Sequence, residues 1–216
     1  MIDDVISLMT DDSQASTPGG VRPRYWNWVR HRPPPWLLLS VPMWVSLVVG
    51  FLIPMPELWL LTGILAPLNW FRWSRTKTHF RFGDANPGVI VSADPPLMAV
   101  ATDLTRGRGD YPAVRVVRVN LKEIDGEPLR RGQRLPTVAL YGAPAAEQVP
   151  YWSNFDPLPL QYADRRPKTV ADVMATFEPE AWQTLKAAVN RLPRPFAAGL
   201  YLLGWDGKYT NRGRRV

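Results

Sequence analysis

Cysteine is absent from the chain, and histidine occurs only at His31 and His79. The first absence excludes disulfides, thiolate chemistry and every cysteine-based metal site, and it leaves the redox compartment open. Neither histidine has a second His or an Asp at metal-ligand spacing, which argues against zinc. A Ser-His-Asp triad would have to use one of the two, and there is no nucleophile-elbow sequence to carry the serine. A phosphate loop is missing as well. Gly107-Arg108-Gly109-Asp110 is too short, lacks the lysine, and reads as a hairpin tip. Asp84, Asp94, Asp103 and Asp110 fall at strand ends or turns, where they could ring a cation, although turns use aspartate in any case. These residues give no catalytic site, no metal site and no cofactor to expect.

What is present is unevenly spread. The 216 residues have a mean hydropathy of −0.17, yet seven of the ten Trp lie between Trp26 and Trp73, together with the most apolar stretch. Proline is abundant at 23 residues, so short strands and turns are expected rather than long helices. Net charge is +7 and the pI is near 10.0, which suits nucleic acid, anionic lipid or plain solubility until placement decides.

Residues 1–33 divide in two. Met1 to Gly20 carries four Asp and no Lys or Arg, has no amphipathic period, and reads as a mobile tail. It lacks the basic start and immediate apolar run of a signal peptide. From Val21 the sign changes: Arg22, Arg24, Arg30, His31 and Arg32 interleave with Tyr25, Trp26 and Trp28. Aromatic rings among arginines suit single-stranded nucleic acid. Directly before a long apolar run they suit a membrane interface better, with rings at headgroup depth and cations on lipid phosphate.

Residues 34–75 read as a transmembrane helical hairpin. Trp36 to Ile53 is an uncharged run of 18 residues, about 27 Å at ~1.5 Å per residue, against a ~30 Å hydrocarbon core. Pro54-Met55-Pro56-Glu57 breaks it, and Leu58 to Phe71 forms a shorter second run. The alternative to two full spans is a hairpin that dips in and returns. Trp26, Trp28, Trp36, Trp70 and Trp73 with Arg30, Arg32, Arg72 and Arg75 are the expected interface residues. Basic residues flank both outer ends and none lies in the turn, so the positive-inside rule puts both termini in the cytoplasm, at the inner membrane.

The remainder reads as α+β: a small antiparallel β-barrel-like domain over 78–145, then a wrapping loop and two or three helices over 146–203, and a basic tail over 204–216. His79 to Phe82, Gly88 to Ser92, Leu97 to Thr102, Ala113 to Val119, Leu121 to Ile124 and Leu135 to Tyr141 are the expected strands. Ala143 to Ala163 has no regular pattern, and its Tyr, Trp and Phe must be buried by wrapping the barrel. Thr169 with Asp172 forms a capping box for one helix. Glu178-Pro179-Glu180 opens the next, whose Trp182, Leu185, Val189 and Leu192 make one apolar stripe. Phe196 to Leu203 is a third short helix or an edge strand.

Gly83-Asp84-Ala85-Asn86-Pro87-Gly88, Leu135-Pro136-Thr137-Val138-Ala139-Leu140-Tyr141 and Pro195-Phe196-Ala197-Ala198-Gly199-Leu200-Tyr201 resemble phrases of an uncharacterised family of bacterial membrane proteins. The resemblance covers Thr78 to about Tyr201 and implies architecture only. Among basic residues, Arg106, Arg108, Arg130, Arg131 and Arg134 sit in two loops and Arg212, Arg214 and Arg215 in the tail, where an anionic leaflet would account for them. The expectation is therefore a non-enzymatic binding or accessory subunit at the cytoplasmic face, with the lipid bilayer and another membrane protein as partners. The rivals are an enzyme with an Asp/Arg site between barrel and helices, and a membrane-proximal nucleic-acid-binding domain.

Overall fold

The computed structural model describes residues 18–31, 33–53, 55–106, 109–142 and 150–211. Three helices come first: α1 (Tyr25–His31), α2 (Pro33–Leu52) and α3 (Pro56–Phe82). The strands β1 (Asp84–Ala93), β2 (Pro96–Asp103), β3 (Pro112–Arg118), β6 (Arg134–Tyr141), β7 (Phe155–Pro159), β8 (Gly199–Leu203) and β9 (Tyr209–Asn211) form one antiparallel sheet in the order β7-β6-β1-β2-β3-β8-β9. Between β3 and β6, β4 (Glu123–Ile124) and β5 (Glu127–Pro128) make a separate two-stranded ribbon. Helices α4 (Pro167–Met174) and α5 (Pro179–Asn190) separate β7 from β8.

Both faces of this sheet are covered, and the strand sequences reflect it. In β2, Met98 and Val100 face one core with Ile90, Phe80 and Trp152. Leu97 and Ala99 face a second core with Val91, Val114, Val116 and the α5 residues Ala188 and Leu192. Alternate residues thus enter different cores, and the strand reads as a continuous apolar run. On the first face an extended segment ties the amino-terminal region down. Gly19 N–H donates to Gly83 O at 2.9 Å, Val21 N–H to Phe80 O at 3.1 Å, and Arg24 N–H to Ala163 O at 2.9 Å.

Gly83 is required where α3 turns into β1. A Cβ there would collide with His79 O and sit 2.8 Å from Ala139 O, both backbone atoms that cannot swing aside. His79 Nε2 donates to Val138 O at 2.8 Å across the same junction.

The structure corrects the expected fold class. Helices α2 and α3 do pair, but among the described residues no helix is long and apolar enough to cross a membrane. Helix α3 has 27 residues, yet its apolar part stops at Arg72, and Arg75, Lys77 and Arg81 follow. The β-domain is not a closed barrel but a seven-stranded sheet curled into a half-barrel, with β7 and β9 as its edges.

Local expectations change as well. His79 to Phe82 is the last turn of α3 rather than a strand, because Phe80 and His79 are buried one turn from the equally buried Thr76. Residues 155–159, expected to be irregular, pair with β6 despite two prolines, from Tyr141 opposite Phe155 to Thr137 opposite Pro159. The Thr169–Asp172 box does not form. Helix α4 starts earlier, at Pro167, and Thr169 Oγ1 donates to Asp164 Oδ2 at 3.3 Å. Phe196 to Leu203 gives strand β8, an interior strand between β3 and β9.

Candidate functional site

The paired helices α2 and α3 hold their polar side chains inward. Ser46 Oγ and Thr62 Oγ1 are 2.7 Å apart, and Ser40 Oγ donates to Asn69 Oδ1 at 2.7 Å. Asn69 Nδ2 in turn donates to Leu65 O at 3.0 Å and Leu39 O at 3.2 Å. Gly50 faces Leu58 and Trp59 near the turn. What points outward is apolar. Leu38, Trp44, Val48, Phe51 and Leu52 of α2 and Leu60, Ile64, Leu68 and Trp70 of α3 all stand exposed.

A helix apolar on every side is normally buried in a core or in lipid. A contiguous exposed apolar surface of this kind marks an interaction site.

The root of this hairpin is fixed to the sheet domain through both of its arms. His31 stacks on Tyr162, with centroids 4.9 Å apart and an interplanar angle of 15°. Its Nδ1–H donates to Asn120 O at 2.9 Å, while Asn120 Nδ2 donates back to His31 O at 3.0 Å. Asn120 directly follows Val119, whose N–H bonds Pro96 O beside the β1–β2 turn. Helix α2 begins two residues after His31, near the β1–β2-turn end, whereas α3 joins the sheet at the other end of β1, through His79 and Gly83 before Asp84. Burial holds the His31 imidazole below its ordinary pKa, against the opposing pull of its bond to Asn120, and Arg165 and Arg30 lower it further.

The expected interface residues divide. Trp26 is 78% exposed, and Arg30, Trp70 and Arg75 are exposed as well. Arg72 and Trp73 are half-buried, and Trp73 meets the Tyr25 ring edge-on at 5.3 Å. Trp28 turns inward onto Phe80 and Tyr162, at 5.9 Å and 6.5 Å. Arg32 and the side chain of Trp36 lie outside the described residues, as do Arg108, Arg212, Arg214 and Arg215.

Of the basic loop residues, Arg130, Arg131 and Arg134 sit at the β1–β2-turn end of the sheet. Arg130 pairs with Glu127 at 2.8 Å, and Arg134 lies over the Trp182 ring at 4.7 Å. Arg106 belongs to the opposite end, over Trp152 at 5.3 Å. Sequence reasoning passed over Arg194 and Phe196, which join the first group: Arg131 and Arg194 lie 5.7 and 5.6 Å from the Phe196 ring centre. No local pattern announces a contact between loops some sixty positions apart. The only available signal was the basic and aromatic character of each.

At the opposite end, Tyr141 OH meets Thr102 Oγ1 at 2.6 Å and donates to Asp84 Oδ2 at 3.1 Å. Burial raises its pKa first and the Asp84 carboxylate second, so the phenol stays protonated and serves as a donor. Asp103 accepts from Thr105 N–H at 2.9 Å and Tyr111 N–H at 3.0 Å, the ordinary work of a turn aspartate. Among the described residues, no three His, Asp or Glu are grouped as a metal site.

A family described as "Protein of unknown function (DUF3239)" matches residues 72–193. No curated protein matches the chain. Among solved structures, similarity is found to the "Crystal structure of a putative membrane protein from Corynebacterium diphtheriae", at 22% identity and a TM-score of 0.46, over 54% of this chain and 98% of that one.

Proposed function

This chain belongs to the DUF3239 family, whose match spans more than half of it, and we propose that it is a non-enzymatic binding or accessory module that its helical hairpin seats in the cytoplasmic leaflet of the inner membrane. The observation that carries this reading is the inversion of the hairpin: hydroxyls and amide meet inside, rings and aliphatic chains face out. In water that arrangement is costly, whereas in lipid it keeps Ser40, Ser46, Thr62 and Asn69 paired inside the hairpin. The apolar part of α3 before Arg72, about 24 Å long, passes one leaflet of roughly 15 Å and falls short of the whole ~30 Å core. The hairpin therefore enters and returns on one side, which leaves the sheet and the amino-terminal segment together.

Exposed Arg22, Arg24, Arg30, Arg75 and Lys77 around the root suit the anionic headgroups of that leaflet, at about 1 kcal/mol per cation. The sheet domain is then what meets a partner protein.

The test is flotation of the full chain with phosphatidylcholine vesicles on a density gradient. Co-flotation that survives high salt supports insertion of the apolar surface. A chain that stays at the bottom as a dimer would assign the same surface to a second copy and overturn the reading.

A further inference from the structure

Helix α1 ends at His31, two residues before α2 begins, and there the first arm of the hairpin is tied to the sheet domain. The imidazole is 8% exposed and lies flat on Tyr162. Its Nδ1–H donates to Asn120 O, and Asn120 Nδ2 returns a bond to His31 O. Asn120 N–H in turn donates to Tyr162 OH at 2.6 Å. Three residues from separate parts of the chain thus close one ring of contacts. We propose that His31 is a proton-operated latch: the neutral imidazole holds α1 on the sheet domain, and a proton on Nε2 releases that arm while the α3 arm stays in place. This goes beyond the function proposed above and holds whatever the outer surface of the hairpin faces.

The Asn120 carbonyl can only accept, so Nδ1 carries the hydrogen of the neutral ring and Nε2 takes the next proton. Nε2 is buried and has no hydrogen-bond partner among the described residues. A proton there creates a buried charge and an N–H without an acceptor, and water satisfies both once the ring leaves its place. Burial opposes that proton most. Arg165, on the segment after Tyr162, and Arg30, on α1 itself, add to the opposition. The carboxylates of the adjoining segments are engaged elsewhere, Glu123 with Arg165 at 2.6 Å and Asp164 with Arg166 at 2.6 Å. Lys122, two residues after Asn120, is positive as well, and α2 brings no ionisable group.

The two arms differ in how they are held. Helix α3 runs directly into β1 through Gly83, with Phe80 fully buried, so chain continuity and core packing keep it in place. The last turn of α1 has no such continuity with the sheet and depends on the His31 contacts. Release is therefore a local opening, and a single proton limits its steepness to about tenfold in population per pH unit.

Because the chain has no cysteine, spin-label pairs can be introduced without background. In the full chain in mild detergent, one pair joins Trp26→Cys on α1 to Lys122→Cys beside the latch. A second joins Lys77→Cys on α3 to Asp156→Cys on β7, and all four positions are exposed. From about pH 7.5 to 5 the first distance distribution should lengthen and broaden, the second should stay fixed, and the His31 ring resonance should titrate over the same range. His31→Gln should lose the pH dependence of the first pair. Arg165→Gln, which removes one opposing charge, should weaken it. A His31 resonance that titrates while the first distance stays fixed, or that does not titrate in this range, would overturn the latch. So would broadening of both pairs together, which is acid unfolding of the whole domain, or a response that survives in His31→Gln. If His31→Gln is already open at about pH 7.5, Arg165→Gln decides: a response equal to that of the wild type overturns the proposal.

Discussion

Phe80 and Phe82 stand two residues apart in the last turn of α3, and they differ in burial more than in anything else. Phe80 is 0% exposed and meets Trp28 edge-on at 5.9 Å, whereas Phe82 is 48% exposed and lies under Arg81. Truncating a fully buried Phe to Ala costs ~3–5 kcal/mol, from lost transfer energy and the cavity left behind. The edge-to-face contact adds ~0.5–1.5 kcal/mol. Phe80→Ala should therefore fall near the top of that range, at about 4–5 kcal/mol.

For a chain of this size about 2–4 °C of Tm is lost per kcal/mol, so the midpoint should drop by roughly 10–15 °C. Phe82→Ala removes an exposed ring and a cation–π contact of ~0.5–1 kcal/mol, and should cost no more than that. Urea unfolding of the full chain in mild detergent, followed by Trp fluorescence, measures both. Equal costs for the two variants, or a Phe80→Ala cost below about 1.5 kcal/mol, would refute the claim that this turn is the bolt between hairpin and sheet.

Two further outcomes follow from the same junctions. Gly83→Ala should fold poorly or not at all, since its Cβ would meet two backbone oxygens within 3 Å, and the yield of monomer on size exclusion reads this directly. His31, held below its ordinary pKa by burial, binds fewer protons folded than unfolded in mildly acidic solution. Its contribution is fully present above the unfolded pKa of about 6.5 and is lost as pH falls through it, so the urea midpoint should decline from about pH 7.5 to 5 and decline less in His31→Gln.

Much of the sheet was legible because its strands are short apolar runs closed by turns such as Asp94-Pro95 and Asp125-Gly126. Asn86-Pro87-Gly88, which reads as a turn, lies instead inside β1 opposite Thr137, Pro136 and Leu135. The residues of β2, β3 and β6 stand within a position or two of their expected bounds. Phe155 to Pro159 was not legible, because Pro157 and Pro159 disguise a strand that sits at the sheet edge, where a missing N–H is tolerated. His79 to Phe82 alternates polar and apolar like a strand. Tertiary burial of Phe80 against Val21 and Trp28 made it helix instead. The hairpin was visible as two apolar runs, but its extent was overread: basic residues occupy the second half of α3 because that half packs on the sheet through Thr76, His79 and Phe80. The Arg131–Phe196–Arg194 cluster depends on which loops the sheet brings together, information that no local window of sequence holds.

The central claim is that the outer surface of the hairpin faces lipid. Nitroxide labels at Val48 and Leu68, both exposed on the paired helices, test it most directly through collision rates with oxygen, which concentrates in bilayers, and with a water-soluble nickel complex. In vesicle-bound protein both sites should show high oxygen and low nickel accessibility, while a label at exposed Trp205 in the β8–β9 turn shows the reverse. High nickel accessibility at Val48 and Leu68, matching that at Trp205, would contradict the account.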